Sequence, residues 1–282
     1  MKSKPVRAFF FACAAFLAGA STASAMAEGA LELQQPGRLR VAVYAAFPPY
    51  SDQGKGIDVA LGRELAKRLG LEVEVVEYTA DEDMNDDLRN MVWKGHYLGT
   101  RPADVMLHVP VDQHLASNNE QVKIFGPYHI ETVAVARNAQ LVPPIAGSAA
   151  RGLEVFTREK IGVEVGSLAD NFLLSVLNGR LRENVVHFPS VAKAVAAMKE
   201  GTVAAVMAPR GEMEAALGKE SPYPLTEVGL SELQIKGWAL GMAVKADNTQ
   251  LANGLATAME GLQRDGTVAK IFAQHGITVK TP

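Results

Sequence analysis

The sequence predicts an α/β fold with two lobes. Apolar strands such as residues 39–44 and 161–165 are each followed by an amphipathic helix and then by another strand. Strands that alternate with helices indicate a parallel-type sheet with helices packed against it. One segment rich in Pro, Gly and Ala, residues 138–150, separates two such series. The break between two alternating series predicts two lobes with a cleft between them.

The first series opens with the strand at residues 39–44, which runs into the loop Phe47-Pro48-Pro49-Tyr50. Two prolines exclude a continued strand, because each removes a backbone donor and restricts the residue before it. In open α/β sheets, ligands bind outside the carboxyl ends of the strands. Phe47 and Tyr50 are therefore predicted to be walls of a binding site, and a place in the hydrophobic core is the alternative.

The rest of the first series follows the same alternation. A helix that ends at Gly70 precedes a strand at residues 71–75, and a helix at 86–94 precedes a buried strand at 104–109, which Pro110 should stop. Residues 125–129 are predicted to form a turn, and residues 132–137 the next strand.

The second series has its own boundary signals. Ser167 and Asp170 have the spacing of a capping box after the strand at 161–165, and Ser190 precedes a helix with one apolar stripe. Strands are predicted at 184–188, 203–208 and 237–245. Two C-terminal helices are separated by Asp265-Gly266-Thr267.

The first 27 residues resemble a cleavable signal peptide, with a basic start, an apolar run at residues 8–20 and small residues at 23–27. Cleavage would leave a periplasmic chain without cysteine, since the one cysteine is Cys13, and with 25 basic against 31 acidic residues. This balance argues against nucleic acid as a partner, because nucleic-acid binding needs a basic face. No other apolar run is long enough to span a membrane.

The order of elements, together with Gly56-Ile57-Asp58, Gly126-Pro127-Tyr128 and Asp265-Gly266-Thr267, resembles the periplasmic solute-binding proteins of family 3, the amino-acid-receptor family. The resemblance implies a type II fold with residues 38–135 plus 238–282 in lobe 1 and residues 138–232 in lobe 2. Strands near 132–138 and 235–244 would cross between the lobes as a hinge. It also implies a binding protein without enzymatic activity or cofactor, which holds a small polar or acidic organic solute for an ABC-type uptake system.

The usual amino-acid clamp of that family is absent. Where the family carries a Thr and an Arg for the ligand carboxylate, residues 109–117 contain neither and include Asp112. Where lobe 2 usually offers an Asp, this chain has Arg210, whose guanidinium suits an anionic group. We therefore predict that Arg210, with N–H groups near Ser167 and Asp170, holds the anionic end of the solute, while Asp112 or His108 faces the other end.

Two alternatives within the fold remain open. The run from Pro102 to Pro110 is similar to receptor-like proteins encoded beside periplasmic quinoprotein (PQQ) alcohol dehydrogenases, with His108 in place of a glycine. That similarity implies a dehydrogenase or its cytochrome as the partner, instead of a permease. The second alternative is a dehydratase-like enzyme in which Asp112 or Glu131 acts with His108.

No metal site is predicted. Residues 81–87 begin like an EF-hand loop, but Asp86 occupies the glycine position and Val92 the position of the bidentate Glu. The histidines at 96, 108, 114 and 129 lack the spacing of a compact metal site.

Overall fold

The computed structural model describes residues 31–282. The predicted leader, residues 1–27, lies outside this range. Within the described residues, no helix has both the length and the hydropathy needed to cross a bilayer.

The strands fall into two groups that share one long strand. They are β1 Arg38–Tyr44, β2 Glu72–Tyr78, β3 Val105–Pro110, β4 Val122–Arg137, β5 Ile161–Glu164, β6 Val185–Phe188, β7 Ala205–Pro209, β8 Leu225–Glu227 and β9 Gly237–Lys245. Their hydrogen-bonded order is β2-β1-β3-β9-β4-β7-β5-β6, with β8 paired to β4.

Strand β4 carries the chain from one group of strands to the other. Its first part, up to Thr132, pairs antiparallel with β9, and from Val133 onward it pairs with β7. β9 brings the chain back, since Gly237 lies opposite Thr132. The predicted α/β fold with two crossing strands is confirmed, while the exact limits of each lobe stay a prediction.

The helices lie beside these strands, and their boundaries follow local signals. They are α1 Ile57–Arg68, α2 Met84–Leu88, α3 Gln113–Asn118, α4 Ala149–Gly152, α5 Leu168–Ser175, α6 Val191–Lys199, α7 Arg210–Leu217, α8 Thr249–Arg264 and α9 Thr267–Gln274. Asp83 caps α2, which continues as a π-helical turn over Arg89–Trp93. Ser167 and Ser190 cap α5 and α6, as predicted.

Each group of strands has its own apolar core. Helices α1, α8 and α9 pack on the first group, where Leu251, Leu255 and Leu262 of α8 are fully buried. Residues of β5, β7 and the second part of β4 form the cores of the second group. Full burial of a leucine side chain contributes about 1.5–3 kcal/mol, so these stripes fix the helices against the sheet.

One local prediction was wrong. Residues 125–129 are no turn between strands but an irregularity inside β4, where the register shifts between the pairs Phe125–Met242 and His129–Leu240. Gly126 has φ +63°, which lets the chain take the extra residues without ending the strand. Pro110 does end β3, as predicted, and is the last residue of that strand, opposite Leu240.

Candidate functional site

An aromatic cluster forms where the β1–α1 loop meets the end of β3. The ring centroids of Phe47 and Tyr50 are 5.2 Å apart, and the imidazole of His108 lies 4.2 Å from Tyr50 and 5.0 Å from Phe47. Tyr50 is fully buried, whereas Phe47 is half-buried. Thus three residues predicted for the site, Phe47, Tyr50 and His108, lie together.

His108 is held by two buried partners from elsewhere in the chain. Its Nδ1 lies 3.1 Å from Oδ2 of Asp58, which is buried in the first turn of α1. The backbone N–H of His108 donates to the Tyr128 hydroxyl (3.0 Å), and that hydroxyl donates to Asp58 Oδ1 (3.2 Å). Burial raises the pKa of Tyr128 well above its ordinary value, so the hydroxyl keeps its proton. His108 has no second partner at Nε2 within residues 31–282.

A cavity of about 510 Å³ opens beside this cluster, which we call the aromatic cavity. Its lining is mostly apolar, and His108 is the one histidine among the described residues that line it. The residues that line it are Tyr44, Ala45, Ala46, Phe47, Ala80, Met84, His108, Pro110, Trp238 and Leu240. Cavities of this size and character hold ring-sized organic molecules.

A second cavity, of about 230 Å³, lies on the other side of the same loop and contains two acids. Ala46 and Phe47 line both cavities, so the loop is their common wall. Glu164 and Glu212 line the second one. Burial raises the pKa of Glu212 well above its ordinary value, and the negative charges of Glu164 and Glu131 add to the effect. We call this second space the acidic cavity.

Glu131 joins the aromatic cluster to helix α7. The Tyr50 hydroxyl donates to Glu131 Oε2 at 2.6 Å, and the backbone N–H of Gly211 donates to the same carboxylate at 3.2 and 3.3 Å. The backbone N–H of Thr132 completes the set at 2.9 Å. Burial, followed by the charge of Glu131, raises the pKa of Tyr50 well above its ordinary value.

Arg210 lies apart from both cavities. Its Nε contacts Glu214 Oε1 at 2.8 Å and its Nη1 contacts Glu227 Oε1 at 2.5 Å. Lys280 Nζ also contacts Glu227, at 2.7 Å. The guanidinium is therefore neutralised by two carboxylates.

The other predicted site residues act as helix caps. Asp112 is exposed at the start of α3, where it accepts from the N–H of Leu115 at 2.7 Å. Ser167 accepts from the N–H of Asp170 at 3.2 Å. Asp170 itself accepts from the N–H of Gly166 and contacts His187 Nε2 at 2.9 Å. None of the three lines the aromatic or the acidic cavity.

Sequence reasoning missed five residues of this region. In the sequence, Asp58 and Tyr128 stand out only as parts of the Gly-Ile-Asp and Gly-Pro-Tyr motifs, and Trp238 only as part of a strand. Glu131 is indicated only as an acid for dehydratase chemistry. Glu212 carried no signal, because a Glu near a helix start is common. For the described residues, no group of three His, Cys, Asp or Glu side chains is placed to hold a metal ion.

Comparison with known proteins supports the fold. No protein-family profile matches the sequence, and no curated protein sequence matches it. Among solved structures, an ancestral cationic amino-acid solute-binding protein is 20% identical, with a TM-score of 0.66 over 85% of this chain and 96% of that one. An ancestral arginine-binding protein bound to arginine is 25% identical, with a TM-score of 0.56 over 84% of this chain and 97% of that one.

A third structure is described as an ancestral amino-acid-binding protein that is a precursor of cyclohexadienyl dehydratase. It is 18% identical, with a TM-score of 0.58 over 85% of this chain and 95% of that one. The chain has the type II fold of the periplasmic binding proteins. More particularly, its structural neighbours are solute-binding proteins of the family 3, amino-acid-binding type, as the resemblance in sequence implied.

Proposed function

We propose that this protein is a periplasmic solute-binding protein that takes a small, polar, ring-containing solute in the aromatic cavity. An ABC-type permease is its proposed partner, and the predicted leader would export it. The two-lobe fold supports a binding role, since hinge closure around a ligand is the usual behaviour of this class. Lining by Phe47, Tyr44 and Trp238 favours a ring-shaped molecule.

The observation that carries this proposal is the state of His108. Asp58 accepts at Nδ1, and this bond selects the tautomer that carries its proton on Nδ1 and presents Nε2 as an acceptor. An acceptor that has no partner among the described residues, in a mostly apolar cavity, suits a hydroxyl or N–H group of the solute.

The same geometry favours a neutral or donor-bearing solute over an acidic one. Arg210, the predicted anion holder, is already paired with two carboxylates. Lysine and arginine are also missing from the lining of both cavities, and the acidic cavity contains Glu164 and Glu212. An anion there would lack a positive partner.

A thermal-shift panel of amino acids, aromatic alcohols and organic acids tests the proposal on three proteins: the mature chain, His108→Gly and His108→Asn. A solute at a hundredfold excess over its Kd stabilises the folded chain by about 2.7 kcal/mol. We expect ring-containing hydroxyl or amine compounds to raise the Tm of the mature chain. Both variants accept the left-handed backbone at position 108 but lack the imidazole, so both should lose the shift. A shift of equal size in all three proteins would contradict the assignment of His108.

The accessory role remains a second candidate. Tyr97 and Leu98 are 86% and 75% exposed, next to each other in the segment between α2 and β3. The segment is held by the backbone bond from the His96 N–H to Thr100 O. Adjacent exposed apolar side chains are typical of a protein contact. If no compound of the panel shifts the Tm and a purified quinoprotein dehydrogenase or its cytochrome does, this candidate replaces uptake.

One observation keeps a dehydratase-like activity as a third candidate. A protonated Glu212 in the acidic cavity could donate a proton to a leaving hydroxyl, whereas Asp112 and Glu131, the acids predicted for this role, do not line that cavity. Incubation with a cyclohexadienyl acid, followed by ultraviolet detection of an aromatic product, tests it. Product formation that Glu212→Gln abolishes would establish the enzyme, and the absence of product in the unaltered chain would exclude this reaction.

A further inference from the structure

We propose that Glu131 is a positioning residue that couples the docking of helix α7 to the wall of the aromatic cavity. The coupling itself is independent of any solute. Its consequence for solute binding rests on the function proposed above.

The position of Glu131 in β4 is the first observation. Glu131 lies opposite Trp238 of β9, and two residues later Val133 pairs with Pro209 of β7. Glu131 is therefore next to the point at which β4 leaves the first group of strands and joins the second. A rotation of one group relative to the other must change the surroundings of this side chain.

The second observation is the set of donors on its buried carboxylate. The Tyr50 hydroxyl comes from the β1–α1 loop, the Thr132 N–H from β4 itself, and the Gly211 N–H from the first turn of α7. The hydroxyl contact, at 2.6 Å, is shorter than the contacts from the Thr132 and Gly211 N–H groups, at 2.9 and 3.2 Å. Glu131 is only 2% exposed, so water cannot replace a donor that moves away.

The third observation is the close approach at Gly211. A Cβ atom at this position would lie 2.3 Å from the Tyr50 hydroxyl and 2.8 Å from Glu131 Oε2. Real Cβ atoms do not come this close, so a larger residue at position 211 would displace the Tyr50 hydroxyl and the Glu131 carboxylate from this contact or move α7 away from the loop. The junction of Tyr50, Glu131 and Gly211 therefore depends on the absence of a side chain at position 211.

The junction reaches the cavity through Tyr50. Its ring packs on His108 and Phe47, and both of these line the aromatic cavity. When α7 moves away, the Glu131 carboxylate loses the Gly211 donor and is no longer held in place. The Tyr50 hydroxyl then donates to an acceptor whose position is not fixed. The wall of the cavity is thus complete only while α7 is docked.

Helix α7 has a second attachment that provides a control. Glu214 Oε2 accepts from the N–H of Thr278 at 2.7 Å, and Arg210 is linked to Lys280 through Glu227. These bonds lie outside the cavity and do not contact Tyr50. Arg210→Ala should weaken this attachment without disturbing the aromatic wall.

The experiment measures two distances in the same protein. The mature chain has no cysteine of its own, so Lys67→Cys on α1 and Lys193→Cys on α6, both exposed, can carry a spin-label pair across the two groups of strands. Trp93→Phe leaves Trp238 as the single tryptophan, and its quenching by acrylamide reports the state of the aromatic wall. Neither measurement needs a solute.

We expect Tyr50→Phe, Gly211→Ala and Glu131→Ala to broaden or shift the spin-label distance and to increase Trp238 quenching together. Glu131→Gln keeps an acceptor oxygen and should restore most of both signals. The change in Tyr50→Phe, which keeps the ring but loses the bond to Glu131, is one that a purely space-filling role would not predict. Arg210→Ala should leave Trp238 quenching unchanged.

Far-UV circular dichroism identifies variants that fail to fold. Tyr50→Phe removes only a hydroxyl and keeps the test decisive if Gly211→Ala does not fold. Unchanged distance and quenching in a folded Tyr50→Phe variant would overturn the coupling. An increase in quenching with an unchanged spin-label distance would overturn it as well. Because no solute is used, these outcomes are distinct from a failure of the thermal-shift panel.

Discussion

Acidification is expected to destabilise the protein through His129, a buried histidine of β4 that contacts the C-terminal segment at Lys280. Its Nδ1 accepts a hydrogen bond from the N–H of Lys280 at 3.1 Å, and its ring packs on Phe272 with centroids 4.7 Å apart. His129 is 2% exposed. Burial, together with the positive charges of Lys280 and Arg210, lowers its pKa to about 4. Protonation would also remove the acceptor that binds Lys280.

The size and sign of the effect follow from the two pKa values. The unfolded chain takes up the proton near the ordinary value of 6.5 and the folded chain only near 4. Between these pH values the unfolded state binds more protons, so the free energy of unfolding rises with pH. The contribution is complete above pH 6.5 and is lost as the pH falls toward 4. At about 1.4 kcal/mol for each pKa unit, the loss approaches about 3 kcal/mol.

Urea unfolding of the chain without its predicted leader, and of its His129→Asn variant, between pH 4 and pH 7 tests this expectation. Asparagine keeps an acceptor near the position of Nδ1 but does not titrate. Between pH 7 and pH 4, the free energy of unfolding of His129→Asn should therefore fall by about 3 kcal/mol less than that of the unaltered chain. His114→Asn, at an exposed histidine, serves as the matched control. If the free energy of unfolding falls equally with pH in the unaltered chain and in His129→Asn, the assignment of the effect to His129 is refuted.

Two further predictions concern Arg210 and Gly56. Arg210→Ala should lower the free energy of unfolding by no more than about 1 kcal/mol, because its ion pairs are partly exposed. Solute affinity by isothermal titration should stay the same, and a tenfold loss would return Arg210 to the binding site. Gly56→Ala should destabilise by more than about 2 kcal/mol, since φ is +125° and its Cβ would lie 2.2 Å from Tyr50 O. Gly54→Ala, with open space at φ +73°, should cost only about 1 kcal/mol in urea unfolding, and equal losses would show that Gly56 is not sterically restricted.

Much of the fold could be predicted because its signals are local. The stripe of Leu251, Leu255, Met259 and Leu262 specifies α8 within three helical turns, and Ser167 marks the start of α5 within one. The continuity of β4 through residues 125–129 could not be predicted in the same way. Gly and Pro are typical of a turn. Only the pairing of β4 with β9 on both sides of Gly126 shows that these residues form a bulge within one strand.

The site was predictable only in part, because its bonds join distant residues. Phe47 and Tyr50 could be placed from a proline loop at the end of a strand. His108 and Asp58 are 50 residues apart, and Glu131 and Gly211 are 80 apart. Arg210 illustrates the opposite difficulty. An arginine is suited to bind an anion, but Arg210 can do so only if nearby acidic side chains do not already pair with it. The spacing of residues along the chain does not reveal such pairs.

The backbone at His108 is the strongest single indication that its side chain has a function. His108 has φ +63°, a left-handed conformation that costs a residue with a Cβ roughly 1–2 kcal/mol and glycine almost nothing. If only packing mattered, glycine would satisfy this position. Instead, the strained residue carries an imidazole held by Asp58 and next to a cavity. The hydrogen bond to Asp58 offsets part of the strain, and Nε2, which has no hydrogen-bond partner within residues 31–282, gives the cavity a polar atom. Strain kept at such a place indicates a binding role more than a packing role.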